Sequence, residues 1–270
     1  MRHPYFDLPR PLVIGHRGAA GEAPENTLLS FERALALGAG ILESDVHLTR
    51  DGVAVLLHDD RVERTTEGRG PVGELTLAEL RRLDAGHRFS PDGGHSFPFR
   101  GLGLRVPTLA EAFRAFPGAR FNLELKDGGA ALAETVVALV REARREATTL
   151  LTAGEDAMMQ ALRAELARSG VEPAVGASTG DVLRFVRAAM QGLVPPPEPL
   201  ALQIPAEFAG RPLVNRELLA CAHAHDVQVH VWTVNEPGEM KALLELGVDG
   251  LVTDFPGRLV ALLAAGAARP

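Results

Sequence analysis

Cysteine is almost missing: Cys221 is the single one in 270 residues. An internal disulfide and a cysteine-built metal centre are excluded. Lysine is nearly as scarce, with only Lys126 and Lys241, so basic charge rests on arginine. Positive charge is also in deficit. The 28 basic residues face 35 acidic ones, a net charge of −7, opposite to the basic footprint of a nucleic-acid binder. No run approaches the ~20 apolar residues of a membrane helix. No apolar stretch of ~7–15 residues precedes a small-residue cleavage site near the N-terminus. The expectation is a cytoplasmic protein with no nucleic-acid partner and no stable membrane insertion. Composition is otherwise globular, 46% hydrophobic and 23% charged, which excludes global disorder.

Short apolar runs alternate with helical patterns along the chain. Strands are expected at 11–16, 41–48, 119–126, 148–152, 171–177, 200–204, 227–234 and 249–252. Helices are expected at 27–37, 109–116, 130–145, 155–168, 181–190, 214–225, 237–246 and 256–264. Eight strand–helix units in about 250 residues is the pattern of a (β/α)8 TIM barrel. An open doubly wound sheet is the rival, but Gly15-His16-Arg17-Gly18 lacks the dinucleotide-binding glycine spacing. Residues 53–57 follow the turn Arg50-Asp51-Gly52 and read as a hairpin extension of the second strand. The stretch at about 59–107 is rich in Gly, Arg and Asp, with one helix at 77–83. It reads as a small loop-rich insertion after the second strand, too poor in apolar residues for its own core. The expectation is a single domain over 1–270.

Barrel function gathers at the C-terminal ends of strands. The residues unusual for strand interiors there are His16, Arg17, Glu43, Asp45, Glu124, Lys126, His58 and Trp232. Residues i and i+2 of a strand share a face, so Glu43 converges with Asp45 and Glu124 with Lys126. Three inward carboxylates need a compensating cation or shared proton. Without cysteine, they suit one hard divalent ion, Mg²⁺ or Ca²⁺. The alternative is a set of rim carboxylates paired with arginine. Histidine is the side-chain type suited to serve as base or acid at neutral pH, and His16 and His58 are the candidates. Arg17 and Lys126 add fixed positive charge. Together these groups describe a site for a phosphate ester.

The stretch from Gly15 to Asp60, with His16-Arg17, Glu43-x-Asp45 and His58, resembles the signature of the glycerophosphodiester phosphodiesterases. The resemblance extends through NLELK at Glu124 and Lys126, VHVWTVNE at Trp232, and GVDGLVTDFP near the C-terminus. It implies a TIM barrel with a divalent metal on Glu43, Asp45 and Glu124. It implies His16 and His58 as base and acid, with Arg17 and Lys126 on phosphate oxygens. Trp232 would pack on the glycerol or alcohol side. The implied reaction is metal-dependent hydrolysis of glycerophosphodiesters to glycerol 3-phosphate and an alcohol. Ser44, between Glu43 and Asp45, should face away from the site.

Other polar residues have quieter readings. His47 shares the face of Asp45 and is a candidate supporting residue. Glu25 reads as a cap or loop residue. Asp249 and Asp254 read as structural hydrogen-bonding residues, His230 as deep in the barrel, and Cys221 as core. Arg141, Arg144 and Arg145 read as a solvated helix face. One rival function is a lysophospholipase D-type barrel, for which Phe89, Phe97 and Phe99 would supply an apolar rim. Another is a non-catalytic phosphodiester-binding protein. A metal-dependent amidohydrolase is disfavoured, because the first strand lacks H-x-H. The expected partner is a small-molecule phosphodiester, and a homodimer is plausible from exposed barrel helices.

Overall fold

The computed structural model describes residues 3–126 and 128–267. Its strands are β1 (Leu12–Gly15), β2 (Ile41–Leu48), β3 (Ala54–Leu56), β4 (Arg120–Leu125), β5 (Thr149–Thr152), β6 (Ala174–Val175), β7 (Ala201–Pro205), β8 (Glu207–Phe208), β9 (Arg211–Pro212), β10 (Gln228–Trp232) and β11 (Gly250–Thr253). Its helices are α1 (Leu28–Ala36), α2 (Leu77–Leu80), α3 (Leu109–Ala115), α4 (Gly129–Glu142), α5 (Asp156–Ser169), α6 (Thr179–Gln191), α7 (Arg216–Ala224), α8 (Pro237–Leu246) and α9 (Pro256–Ala267). Eight strands run parallel in the order β6-β5-β4-β2-β1-β11-β10-β7. A single parallel bridge, Gly176 to Ala201, closes β6 onto β7. The architecture is a (β/α)8 barrel with its seam at that bridge. β6 is shorter than the expected 171–177 and forms only two ladder pairs with β5.

Strand parity sorts the side chains into layers. Outward residues such as Leu42, Val46, Phe121, Leu123 and Leu125 meet the helices in the main apolar core. Inward residues Leu12, Ile14, Ile41, Leu150 and Val252 form a second cluster that the N-terminal residues Tyr5 and Phe6 plug from below. Towards the other end the inward positions of β2 and β4 turn polar, with Glu43, Asp45 and Glu124, while the polar Gln228 and His230 of β10 lie deep, His230 beside the Phe6 ring. Apolar filling at the bottom and polar groups at the top make a mouth at the C-terminal ends of the strands.

Helix starts are written locally. Thr108 and Ser178 each accept from the backbone three residues on, while Glu111 and Asp181 return the bond to the cap. Thr27 caps α1 in the same manner, accepting from the Ser30 N–H.

β3 pairs antiparallel with β2, Val46 opposite Leu56 and Leu48 opposite Ala54. The Leu57 N–H then donates to the Asp45 carbonyl at 3.1 Å, which delivers His58 to the barrel mouth. The insertion gathers an apolar cluster after all: Val62, Val72, Leu80, Ala85 and Val106 close over Val55 and Leu57. The cluster exists because β3 offers a face that the barrel does not cover.

Arg145 departs from the solvated face expected of it. It is buried and donates to the carbonyls of Phe116, Pro117 and Ala119. Its guanidinium lies over the Phe113 and Phe121 rings. The sequence pattern marked a basic helix face, but α4 ends at Glu142, so Arg145 lies beyond the helix and turns inward.

Candidate active site

β1 ends in a tight loop that carries two of the expected residues. Arg17 has φ +49° and Gly18 φ +91°, a left-handed pair that reverses the chain over the barrel mouth. A Cβ at Gly18 would sit 2.4 Å from Ser30 Oγ, so the loop needs glycine there to lie against α1. The turn aims the Arg17 N–H at Glu43 Oε2, 2.9 Å away. His16 Nδ1 lies 2.6 Å from Asp254 Oδ1. Asp254 also accepts from Asn235 Nδ2 at 2.6 Å. Burial pulls the His16 imidazolium pKa down. The Asp254 hydrogen bond and the nearby Glu43 charge outweigh it and hold His16 above the usual histidine range.

β2 and β4 set the three carboxylates on neighbouring strands by register. Asp45 stands opposite Glu124, and Glu43 opposite Asn122. Burial, then the charge of Asp45, push Glu43 up to about 7. Burial works against Asp45 as well, but Lys126 and Arg17 beside it hold its carboxyl below the usual range. Lys126 Nζ bridges Asp45 Oδ1 at 2.9 Å and Glu124 Oε2 at 2.8 Å. Arg17 Nε adds a longer pair with Asp45 at 3.4 Å. Ser44 points to the helix side, where its hydroxyl donates to Asn26 Oδ1 at 2.6 Å. Asn26 Nδ2 in turn donates to Asp45 Oδ2 at 3.2 Å.

The donor chemistry suits a hard divalent cation, being all oxygen and anionic on neighbouring strands. The mutual repulsion that lifts Glu43 is what such a cation relieves. The side chains in place are closed around ammonium and guanidinium instead. Among the described residues, no group of three or more His, Cys, Asp or Glu side chains converges to hold a metal ion.

His58 Nδ1 lies 2.6 Å from Asp59 Oδ1. Arg64 Nε reaches Asp59 Oδ2 at 2.6 Å, and its two terminal nitrogens reach Glu25 at 2.6 and 2.7 Å. Glu25 Oε1 also accepts from Arg17 Nη1 at 2.9 Å. Burial would raise the Asp59 carboxyl, but the bonds from Arg64 and His58 push it down to about 2. His47 lies buried beside Asp45 on the mouth face, its Nε2 3.1 Å from the His58 carbonyl.

Trp232 ends β10 at the rim, 45% exposed. With Glu124 it borders a cleft of about 410 Å³ that runs under α6 and the β8–β9 hairpin. The hairpin turns at Ala209 and Gly210, φ +52° and +73°. Phe89 and Phe99 meet edge to face with ring centroids 5.2 Å apart, and Phe97 lies under the Arg100 guanidinium. Leu183 and Phe208, rather than these three, flank the apolar cleft.

Arg17, Glu43, Asp45, Glu124, Lys126 and His58 join one bonded network through Glu25, Arg64 and Asp59, while His16 is held beside it by Asp254 and Trp232 stands at the rim. Sequence reasoning missed Asn26, Glu25, Asp59, Arg64, Asn235 and the partnership of Asp254 with His16. Asp59 directly follows His58, and Asp254 directly follows the last strand, so the strand-end rule held a signal for both. Arg64 lies in the insertion, where that rule says nothing.

Two carboxylate-held histidines beside an arginine and a lysine, at the mouth of a (β/α)8 barrel, are an arrangement suited to phosphate-ester chemistry. The model of the glycerophosphoryl diester phosphodiesterase family matches residues 16–258. The chain belongs to that family and is a phosphoric diester hydrolase by class. It is 32% identical over 265 residues to a glycerophosphodiester phosphodiesterase of Caldanaerobacter subterraneus subsp. tengcongensis, covering 95% of this chain and 99% of that one. It is 29% identical over 273 residues to a rat lysophospholipase D, covering 91% and 84%. An Oleispira antarctica phosphodiesterase solved with the product sn-glycerol 3-phosphate superposes with a TM-score of 0.72 at 26% identity, covering 97% and 99%. Among the described residues no helix is long and apolar enough to cross a membrane.

Proposed function

We propose that the protein hydrolyses glycerophosphodiesters to glycerol 3-phosphate and an alcohol, with His16 as general base and His58 as general acid. The observation that carries this reading is the matched pair of histidines, each held at Nδ1 by a carboxylate 2.6 Å away. With Nδ1 committed to Asp254 or Asp59, Nε2 of each ring is the nitrogen that exchanges a proton with substrate. His16 takes the proton of the nucleophile, either water or the neighbouring glycerol hydroxyl. His58 gives a proton to the departing alcohol oxygen. Arg17 and Lys126 hold phosphoryl oxygens and offset the charge that grows on them in the transition state. Trp232 packs on the glycerol or alcohol side. Glu43, Asp45 and Glu124 would hold one divalent cation, Mg²⁺ or Ca²⁺, in competition with the Lys126 ammonium. When bound, that cation supplies Lewis-acid polarisation of a phosphoryl oxygen. The Caldanaerobacter relative's name and the Oleispira product complex support the substrate class.

The test is glycerol 3-phosphate release from a panel of small glycerophosphodiesters, with EDTA, Mg²⁺ or Ca²⁺ added. Metal-dependent release is expected, reduced on the order of 10²–10⁴-fold in His16→Ala and in His58→Ala. Near wild-type turnover in both variants with metal present would overturn the assignment.

The apolar cleft beside Glu124 favours a second reading, in which the diester also carries an acyl chain, as the rat relative's name suggests. Leu183 and Phe208 flank it 58% and 64% exposed, and among the described residues Glu124 is the one charged residue on its wall. Adding a lysophospholipid to the panel checks this. Leu183→Asp then lowers release of its headgroup alcohol several-fold and leaves the small diesters untouched. An unchanged lysophospholipid rate removes the second reading and leaves the first intact.

A further inference from the structure

The insertion sends one side chain into the site. Arg64 sits on a turn after β3 whose backbone is pinned at both sides. Val62 is buried in the insertion's apolar cluster. Thr66 is buried and bonds back to the Val62 carbonyl through both its N–H at 3.1 Å and its hydroxyl at 2.8 Å. From this fixed turn the Arg64 guanidinium makes four bonds to two carboxylates. Nε and Nη2 clasp Asp59 at 2.6 and 3.1 Å, while Nη1 and Nη2 clasp Glu25 at 2.6 and 2.7 Å. A planar fork is suited to such two-sided bidentate contact, and an ammonium is not.

Each of those carboxylates holds a different working group. Asp59 holds the His58 ring at Nδ1, and Glu25 holds Arg17 Nη1. We propose that Arg64 is a positioning residue that couples the general acid His58 to the phosphate-holding Arg17, through Asp59 on one side and Glu25 on the other. This rests on the functional reading given above.

Two physical effects follow. Geometrically, the fork fixes the plane of Asp59 and so the tilt of the imidazole; misplacement of a reacting group by about 1 Å can cost on the order of 10²-fold in rate. Electrostatically, Arg64 shares both carboxylates. Without it, Glu25 is left to Arg17 alone, which ties that guanidinium more firmly away from phosphate. Asp59 is likewise left to His58 alone, which favours the imidazolium. A general acid works while protonated, so the alkaline limb of the pH–rate profile moves to higher pH when the Arg64 charge is removed.

The experiment compares wild type, Arg64→Ala and Arg64→Lys on one glycerophosphodiester with saturating divalent cation. Arg64→Ala is expected to lose about 10–100-fold in kcat, to raise KM several-fold, and to move the alkaline limb up by about half a pH unit or more. Added guanidinium ion restores part of the kcat. Arg64→Lys keeps the charge and loses the fork, so its alkaline limb stays in place while kcat still falls about 10-fold. An Arg64→Ala protein that melts like wild type and keeps its kcat and alkaline limb overturns the proposal. If the alanine variant unfolds, wild-type kcat in Arg64→Lys overturns it. Ring ¹⁵N chemical shifts of His58 in metal-free protein give a readout without turnover. They are expected to move in Arg64→Ala, and unchanged shifts overturn the coupling. Wild type inactive on every diester would instead remove the functional reading beneath it, a result these shifts keep separate.

Discussion

At the scale of single residues, the site is built from pairs in which one group works and another holds it. Asp254 is the clearest holder. It ties the His16 ring to the end of β11 and is itself held by Asn235. In Asp254→Asn the stabilising charge beside the imidazolium is gone. His16 works as a base only when neutral, so the acidic limb of the kcat/KM profile is expected to move to lower pH. The rate at its optimum falls by about 10²-fold, since the ring loses its fixed tautomer. Steady-state kinetics across pH checks both. The alternative of paired rim carboxylates was partly right about charge: Asp45 and Glu124 do pair, with Lys126 rather than with arginine alone. The expectation of a hard ion on the same oxygens came from their type and strand parity, both legible in the sequence.

At the scale of elements, the loop after β1 depends on close contact with α1. A Cβ on Gly15 would meet the Gly18 carbonyl oxygen at 2.4 Å and Ala34 Cβ at 3.0 Å. Both neighbours are rigid, one being backbone and the other a helix methyl. Gly15→Ala is expected to cost about 1–3 kcal/mol in urea unfolding and to push the loop that carries His16 and Arg17. A loss of kcat beyond what the lowered stability explains would report that displacement. The β2–β3 hairpin is the second such element. It was visible from the turn at 50–52 and the apolar run behind it, and it sets where His58 enters the mouth. The β8–β9 hairpin was not expected, since each of its strands is only two residues long and shows no periodicity.

At the scale of the whole molecule, the end of the barrel opposite the mouth is closed by groups far apart in the chain. Asp249 accepts from Arg10, from the Val229 N–H at 2.9 Å and from His223 at 2.9 Å. It thereby joins the N-terminal segment, β10, α7 and the start of β11. Burial acts to raise its carboxyl, but these partners outweigh it and hold it below the usual range. A lowered carboxyl stabilises the fold above its unfolded pKa, near ~4, and that contribution fades as pH falls through the lower folded value. Asp249→Asn is expected to be less stable than wild type by about 2 kcal/mol at neutral pH, with the gap closing below about pH 4. Denaturation midpoints at several pH values measure it. A gap that persists unchanged into acid would contradict the assignment.

The strand–helix rhythm, the strand-end residues and their parity are local properties. Spacing of 2.0 and 3.6 residues writes them directly into the chain, so the barrel and its mouth residues were legible from order alone. Parity also foretold that Ser44 would turn from the site, as its bond to Asn26 shows. What tertiary structure decided was partnership across distance. The bonds from Asp254 to His16 and from Arg64 to Glu25 span 238 and 39 residues. No local pattern encodes which of many arginines and aspartates will meet. Arg145 makes the same point: its charge read as surface, and only the fold shows three carbonyls and two aromatic rings drawing it inside. Residue type and periodicity determine which groups face the mouth; closure of the barrel and packing of the insertion over it determine which of them hold one another.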